Sequence, residues 1–150
     1  MTRTDTLPLP RMHMVTLGVT DLARSTAFYR RVFGIDTTGD FDGVSFFCLP
    51  GVWLGLYPVD KLAEDIGPAV PRSRSGFAGV TLACNAASRD DVDRRMAHVE
   101  AAGGRIVKPA ADTFWGGYSG YFEDPEGYHW ELAWGPMFEF DDAGDMRFRA

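Results

Sequence analysis

Cysteine, histidine and long apolar runs are all scarce in this chain. Its 150 residues include only two cysteines, Cys48 and Cys84, and three histidines. Two thiols outside any Cys-x-x-Cys motif cannot build a disulfide framework or a thiolate zinc site. No apolar run approaches the roughly 18 residues that a membrane-spanning helix needs, and residues 1–10 lack the apolar core of a signal peptide. We therefore expect a cytoplasmic protein with reduced, structural thiols and no membrane partner.

Basic charge is also in short supply. The chain carries 15 Lys and Arg against 21 Asp and Glu, which gives a formal net charge of −6. Nucleic acids favour a basic protein surface, so nucleic acid is not an expected partner. Aromatic residues, in contrast, make up 13% of the chain. This is more ring surface than a core of this size needs, and it suggests that some rings line a small-molecule site.

The first half of the chain has the pattern of a strand, a helix and three short strands. Residues 12–19 are rich in β-branched and apolar residues and predict a strand. Asp21 can cap the helix that follows, and Gly34 can end it. Turn residues then separate three strand candidates, IDTTGDF, GVSFFCLP and VWLGLYP. The segment VDKLAEDIG predicts one short helix, and a linker rich in Pro and Gly follows it.

The second half repeats this order. FAGVTLACN predicts a strand, Ser88 can cap a helix, and the strand candidates GRIVKPA, YSGYFED and YHWELAW follow. The letters repeat too: MVTLGV at Met14 matches GVTLAC at Gly79, and GVWLGLY at Gly51 matches GYHWELA at Gly127. Two units with the same element order indicate duplication. We predict a single α+β domain over 1–150, with βαβββ modules at 11–60 and 76–136, a linker at 61–75, a tail at 137–150, and a pocket between the modules.

These residues resemble a known family. VTLGVTDLARSTAFYRRVFG looks like the opening strand and helix of the vicinal oxygen chelate superfamily, and GYFEDPEGYHWELAWGP looks like its closing hairpin. That superfamily includes glyoxalase I, bleomycin-resistance proteins, fosfomycin-resistance proteins and extradiol dioxygenases. The resemblance covers roughly residues 12–136. It implies paired βαβββ modules whose mixed sheets curl around a cleft, and a homodimer in which the cleft or its edge is shared.

The resemblance also implies where a metal would bind. Metal-dependent members hold the ion with His, Gln or Glu side chains, at positions that correspond here to Met14, Gly55, Gly79 and Glu131. Only Glu131 keeps a hard donor, whereas a divalent ion needs about three nitrogen or oxygen ligands. We therefore expect no cofactor, and a divalent metal only if it is held in an unusual way. His13 is adjacent to Met14, so strand alternation predicts that it points to the opposite face.

Strand alternation, taken from Glu131 through the repeat, predicts which residues face the cleft. His129 lies two residues before Glu131 on the same face, so the two could act as an acid–base pair. The outward set, which includes Val52, Leu54, Leu56, Tyr128, Trp130 and Leu132, should lie under the helices. The ligand-binding residues predicted in this way are Met14, Thr16, Trp53, Tyr57 and Thr81. The family resemblance implies Ser119 and Tyr121 of the closing hairpin as well. Trp115 is added because the segment DTFWGGYSG at 112–120, with paired glycines beside aromatic residues, is typical of a flexible edge or mouth of a cleft.

Two functional classes remain open on these residues. The first is a metal-independent binding protein of the bleomycin-resistance type, which holds a partly aromatic or cationic organic ligand. The alternative is a glyoxalase- or dioxygenase-like enzyme (a lyase, isomerase or oxygenase), either with a divalent metal or with Glu131 and His129 as acid–base groups. Metal content and the effect of changing Glu131 distinguish the two classes.

Overall fold

The computed structural model describes residues 7–150, so the first six residues of the predicted N-terminal segment lie outside it. The described chain forms three helices and nine strands. The first half contains β1 (Met14–Val19), α1 (Leu22–Phe33), β2 (Ser45–Phe47), β3 (Trp53–Pro58) and α2 (Val59–Ile66). The second half contains β4 (Thr81–Asn85), α3 (Arg89–Ala101), β5 (Arg105–Asp112), β6 (Tyr118–Glu123), β7 (His129–Trp134), β8 (Phe138–Phe140) and β9 (Met146–Phe148).

Each half builds its own mixed sheet. In the first sheet the order is β1-β3-β2, with β1 parallel to β3 and β2 antiparallel to it. In the second sheet the order is β4-β7-β6-β5, with β4 parallel to β7 and the other pairs antiparallel. Both sheets therefore place their first strand beside their last, which confirms the α+β architecture of two similar modules. The tail adds a separate hairpin, β8-β9.

One predicted strand is absent. The segment IDTTGDF at 35–41 was expected to be a strand, but it forms none in the structure. Gly39 takes φ +80°, and the Thr38 N–H donates an isolated hydrogen bond to the Phe46 carbonyl oxygen at 2.9 Å. A backbone with positive φ cannot continue an extended ladder, so the first sheet stops at β2. The helix predicted from VDKLAEDIG is present as α2.

The helices begin and end where the sequence indicates. The side chain of Asp21 accepts a hydrogen bond from the Arg24 N–H, and Gly34 ends α1 in the left-handed conformation at φ +66°. The side chain of Ser88 accepts from the Asp91 N–H at the start of α3. These caps satisfy backbone groups that a helix end leaves unpaired. None of the helices within residues 7–150 combines the length and the apolar character that a membrane crossing requires.

The helices and the outer faces of both sheets share one hydrophobic core. Tyr29 of α1 is fully buried and its ring lies against Phe47 of the first sheet and Trp130 of the second, with centroids 6.2 and 6.0 Å apart. Leu54 and Leu56 of β3 are buried as well. The prediction that the outward strand residues lie under the helices is therefore confirmed for Leu54, Leu56, Trp130 and Leu132, whereas Val52 and Tyr128 are only partly buried. The opposite, inner faces of the two sheets are left outside this core.

Candidate functional site

The inner face of the first sheet is aromatic and partly open. We call it the first wall, defined by Met14, Thr16, Phe46, Trp53, Gly55 and Tyr57. The strand register places Met14 opposite Trp53, and Thr16 opposite Gly55, on one face. Trp53 is 48% exposed and Met14 is 42% exposed, although both are large apolar residues. Exposed rings of this kind are typical of a binding surface rather than of a core.

The inner face of the second sheet carries the polar groups. We call it the second wall, defined by Thr81, Tyr121, Glu123, His129 and Glu131. Tyr121 lies opposite Glu131, and Glu123 lies opposite His129. Burial and the neighbouring Glu131 carboxylate raise the pKa of the Tyr121 hydroxyl. Tyr121 is therefore neutral at pH 7 and can donate a hydrogen bond toward a ligand or toward Glu131.

The partner of His129 differs from the one expected. The sequence suggested a His129–Glu131 couple, but His129 Nε2 lies 3.2 Å from Glu123 Oε1 instead. Glu123 also forms an ion pair with Arg105 at 2.8 Å, and the Phe77 ring meets the His129 ring edge-on at 5.3 Å. Glu123 was not among the predicted site residues. Ser119 and Tyr121 lie on one face of β6, and the next residue on that face is Glu123, so the same alternation could have identified it.

Trp115 and Ser119 take part in packing at one end of the second wall. A β-carbon built on Gly117 would collide with the Trp115 ring, and one built on Gly135 would come within 2.9 Å of it. The ring therefore lies directly over two glycines, which leave the room that it needs. Ser119, which lies on the same face of β6 as Tyr121, is only 5% exposed. In the segment 112–120, interpreted from the sequence as an edge or mouth of a cleft, the Trp115 ring thus packs over the sheet, whereas Phe114 is fully exposed.

The residues predicted to line one cleft fall into separate groups. Within residues 7–150, no hydrogen bond, ion pair or ring contact joins a residue of the first wall to a residue of the second. Thr16 does line a cavity of about 370 Å³ where β1 approaches Val80 and Tyr128 of the second module. Met14 and Trp53 line a different cavity, of about 620 Å³, together with His13.

The position of His13 corrects the alternation argument. His13 was expected to point away from Met14, but the two line the same cavity. The reason is that β1 begins at Met14, so His13 precedes the strand and the alternation rule does not reach it. The position that the internal repeat gave to Gly79 is also wrong. Strand pairing places Thr81, not Gly79, opposite His129, and Gly79 lies two residues before β4 with φ +73°.

The residues present do not fit the divalent metal that the family resemblance implies. A β-carbon on Gly55 would lie 3.0 Å from Thr16 Oγ1 and 3.3 Å from Met14 Sδ, so neighbouring side chains already take up the space where a ligating side chain would start. Within the described part of the chain, no three His, Cys, Asp or Glu side chains converge as a metal site requires. Glu131 alone is not sufficient to hold such an ion.

The turn between β6 and β7 joins the second wall to the first module. Asp124 Oδ1 accepts hydrogen bonds from the Glu126 and Tyr128 N–H groups, each at 2.9 Å. The carboxylate of Glu126, whose side chain is only 4% exposed, accepts from the Thr20 N–H at 2.5 Å and from Arg24 Nη2 at 2.6 Å. The DPEG turn therefore fixes the end of β1 and the start of α1 against the second sheet.

We predict that Glu126→Gln makes stability less dependent on acid pH. Burial alone would raise the pKa of Glu126, but hydrogen bonds from Thr20 and the Arg24 guanidinium outweigh it and hold the pKa low. A carboxyl whose pKa is lower in the folded state stabilises the protein above its unfolded-state pKa, and this contribution disappears as pH falls through the folded-state pKa. Urea unfolding should show that the variant loses about 1–3 kcal/mol of unfolding free energy at pH 7. This loss should become smaller as the pH falls toward 3. Glu100→Gln, on the exposed side of α3, is the control, and parallel pH curves for wild type and E126Q would contradict the prediction.

Residues 11–132 match the family described as the Glyoxalase/Bleomycin resistance protein/Dioxygenase superfamily. Because the match covers most of the chain, the protein belongs to this superfamily, and the resemblance identified in the sequence is confirmed.

Solved structures agree with this assignment. A glyoxalase-related enzyme from Fulvimarina pelagi is 33% identical, covers 95% of this chain and 100% of its own, and has a TM-score of 0.84. A glyoxalase/bleomycin resistance protein/dioxygenase from Nocardioides is 26% identical over 87% of each chain, with a TM-score of 0.75. Lactoylglutathione lyase from Agrobacterium tumefaciens is 25% identical over 89% of this chain and 100% of its own, with a TM-score of 0.68. These proteins share the fold, although their names refer to different activities. The fold alone therefore does not define the chemistry of this chain.

Proposed function

We propose that this protein binds a small organic molecule on its inner walls without a resident metal ion. The observation that carries the proposal is the first wall itself, where Met14 stands at a position that the family resemblance implies for a metal ligand and the neighbouring Trp53 is exposed. An exposed indole and a thioether suit a flat, partly apolar ligand held by stacking. A cytoplasmic location is part of the same prediction.

The second wall supports a cationic or amine-bearing ligand. Glu131 lies half-buried on the inner face, opposite Tyr121 and beside Ala83 of β4. No basic side chain within residues 7–150 forms an ion pair or hydrogen bond with the Glu131 carboxylate. A half-buried carboxylate without a cationic partner favours a positively charged ligand group.

A second candidate is an enzyme that uses acid–base groups of the second wall. The His129–Glu123 contact at 3.2 Å favours it, because a carboxylate that holds an imidazole can set its tautomer for proton transfer. The similarity to a lactoylglutathione lyase names one reaction to test. Formation and breakdown of lactoylglutathione should be followed with and without added divalent ions. Turnover that requires such an ion would contradict the metal-free proposal.

We also propose that two copies of the chain form a homodimer that completes the cleft. Phe77 is 65% exposed and Val80 is 50% exposed beside the second wall, and Trp53 is 48% exposed on the first. Apolar exposure on both walls supports an arrangement in which one copy's first wall faces the other's second wall. Sedimentation of the full-length protein should give the mass of two chains. A mass of one chain at micromolar concentration would contradict the dimer.

We predict that Glu131→Gln selectively weakens the binding of an aromatic amine. Titration calorimetry of the metal-free protein with cinnamylamine and with its neutral analogue, cinnamyl alcohol, separates the charge contribution from ring stacking. A charge-assisted hydrogen bond contributes about 1.5–3 kcal/mol, so the variant should bind the amine at least about tenfold more weakly and the alcohol unchanged.

Two further results decide the proposal. Glu100→Gln removes an equivalent charge from an exposed helix position and should leave both affinities as in the wild type. Metal analysis of the purified protein should find far less than one bound ion per chain. Equal amine affinities in wild type and E131Q would remove Glu131 from the site, and a tightly held ion in every chain would overturn metal independence.

A further inference from the structure

The cavity beside the first wall has its own chemical character. It has a volume of about 620 Å³, which lies in the range of small-molecule sites. It opens at the start of β1, where the chain enters the first sheet. Its lining consists of Arg11, His13, Met14, Phe46, Gly51 and Trp53. Neither Glu131 nor any other member of the second wall lines it.

One side of this cavity is an aromatic corner. The rings of Phe46 and Trp53 lie with their centroids 6.5 Å apart at an angle of 56°, and Phe41 meets Phe46 edge-on at 5.7 Å. Phe46 sits opposite Gly55 in the register, which brings its ring to the same face as Trp53, and the Trp53 side chain is 48% exposed there. A planar ring can therefore lie against Trp53 without displacing a side chain.

The other side supplies hydrogen-bond donors and positive charge. Arg11 Nη2 donates to the Gly51 carbonyl oxygen at 2.7 Å, which fixes the guanidinium at the rim of the cavity. Within residues 7–150, its remaining N–H groups form no hydrogen bond, and neither does the imidazole of His13. The His13 backbone is held in place, because its carbonyl oxygen accepts from the Trp53 N–H at 2.9 Å.

The charge of this cavity is opposite to that of the protein. The chain has a net charge of −6, yet the cavity lining includes an arginine and a histidine and no acidic residue. An anchored guanidinium with free donors matches the planar geometry of a carboxylate. A cavity lined both by Trp53 and Phe46 and by an arginine and a histidine suits an aromatic ring that bears a carboxylate.

We infer that this cavity binds aromatic carboxylates, with the ring against Trp53 and Phe46 and the carboxylate at Arg11 and His13. The inference deepens the proposed function and rests on it, since Met14, Phe46 and Trp53 belong to the first wall, and it adds Arg11, His13 and the opposite ligand charge. A ligand that reached both walls would carry a carboxylate at one end and a cationic group at the other.

The test compares cinnamate with cinnamyl alcohol, which share the ring and differ in charge. Calorimetric titration of the full-length protein should show cinnamate binding about tenfold more tightly than the alcohol, the ratio that one charge-assisted contact supports. Arg11→Gln should abolish that preference, and His13→Asn should reduce it. Trp53→Ala should weaken both ligands by a similar factor, because it removes the stacking surface and not the charge.

The controls keep this inference separate from the proposed function. Arg105→Gln removes a cation that pairs with Glu123 and should leave the preference for cinnamate intact. Glu131→Gln should change cinnamylamine binding but not cinnamate binding. Equal affinities for cinnamate and cinnamyl alcohol in the wild type, or an unchanged preference in R11Q, would overturn the inference. Loss of amine binding in E131Q would not affect it.

Discussion

Tyr29→Phe should destabilise the protein by about 2–4 kcal/mol, although it removes only one oxygen atom. That hydroxyl is fully buried, accepts a hydrogen bond from Trp130 Nε1 at 3.0 Å and donates one to Asp124 Oδ2 at 2.5 Å. Without it, a buried indole N–H and a buried carboxylate oxygen both lose a partner, and each such loss costs about 1–3 kcal/mol. For a chain of this size the melting temperature should fall by roughly 5–12 °C.

The pH dependence of this loss should identify Asp124 as its main source. Burial raises the pKa of Asp124, while the Tyr29 hydroxyl and the turn N–H groups act to lower it. Removal of the hydroxyl raises that pKa further, so the carboxyl in the variant is protonated at a higher pH than in the wild type. A protonated carboxyl oxygen no longer needs the hydrogen-bond donor that the variant lacks, and the difference in unfolding free energy should therefore shrink as pH falls from 7 toward 4.5.

Urea unfolding of wild type and variant at both pH values provides the measurement. Tyr57→Phe is the matched control, because the Tyr57 hydroxyl forms no hydrogen bond within residues 7–150 and should be dispensable to within about 0.5 kcal/mol. A Y29F loss that is equally large at both pH values would assign the effect to Trp130 rather than to Asp124. A loss no larger than that of Y57F would show that the buried network does not stabilise the fold.

The fold could be predicted from the sequence because its signals are local. Alternation along β3 and β7 was enough to assign Leu54, Leu56, Trp130 and Leu132 to the buried side, and the caps at Asp21 and Ser88 depend on side chains within three residues. The strand at 35–41 could not be excluded in this way. Its failure depends on a glycine conformation at Gly39 and on the lack of a continuous partner, which the composition of the segment does not reveal.

The site was less predictable because its contacts depend on register between strands. That His129 contacts Glu123 and not Glu131 follows from the pairing of β6 with β7. Two residues on the same face of one strand lie about 7 Å apart, whereas directly opposed residues on neighbouring strands are closer. Arg11 and His13 precede β1, so the alternation that was applied to His13 does not reach either of them. The cavity that they line becomes evident only when Gly51 and Trp53 are brought beside them.

Leu56→Ala and Trp53→Ala should have opposite consequences, although the residues lie three positions apart on β3. Leu56 is completely buried and points into the shared core, whereas Trp53 is 48% exposed on the first wall. Truncation of a buried leucine costs about 2–5 kcal/mol, since it removes apolar contacts and leaves a cavity. Truncation of a half-exposed ring at the start of a strand should cost less than about 1.5 kcal/mol, because much of that surface already meets water.

Binding should show the reverse order. Leu56→Ala, measured at a temperature where it remains folded, should bind cinnamate with nearly wild-type affinity, because Leu56 does not line the cavity. Trp53→Ala should bind it at least about tenfold more weakly, since aromatic contacts of this size are among the strongest contributors to a small-molecule site. The pair is decisive because the two side chains share one strand: if W53A unfolds as readily as L56A, Trp53 belongs to the core. If W53A is stable and still binds cinnamate normally, the first wall is an ordinary exposed surface and the ligand lies elsewhere.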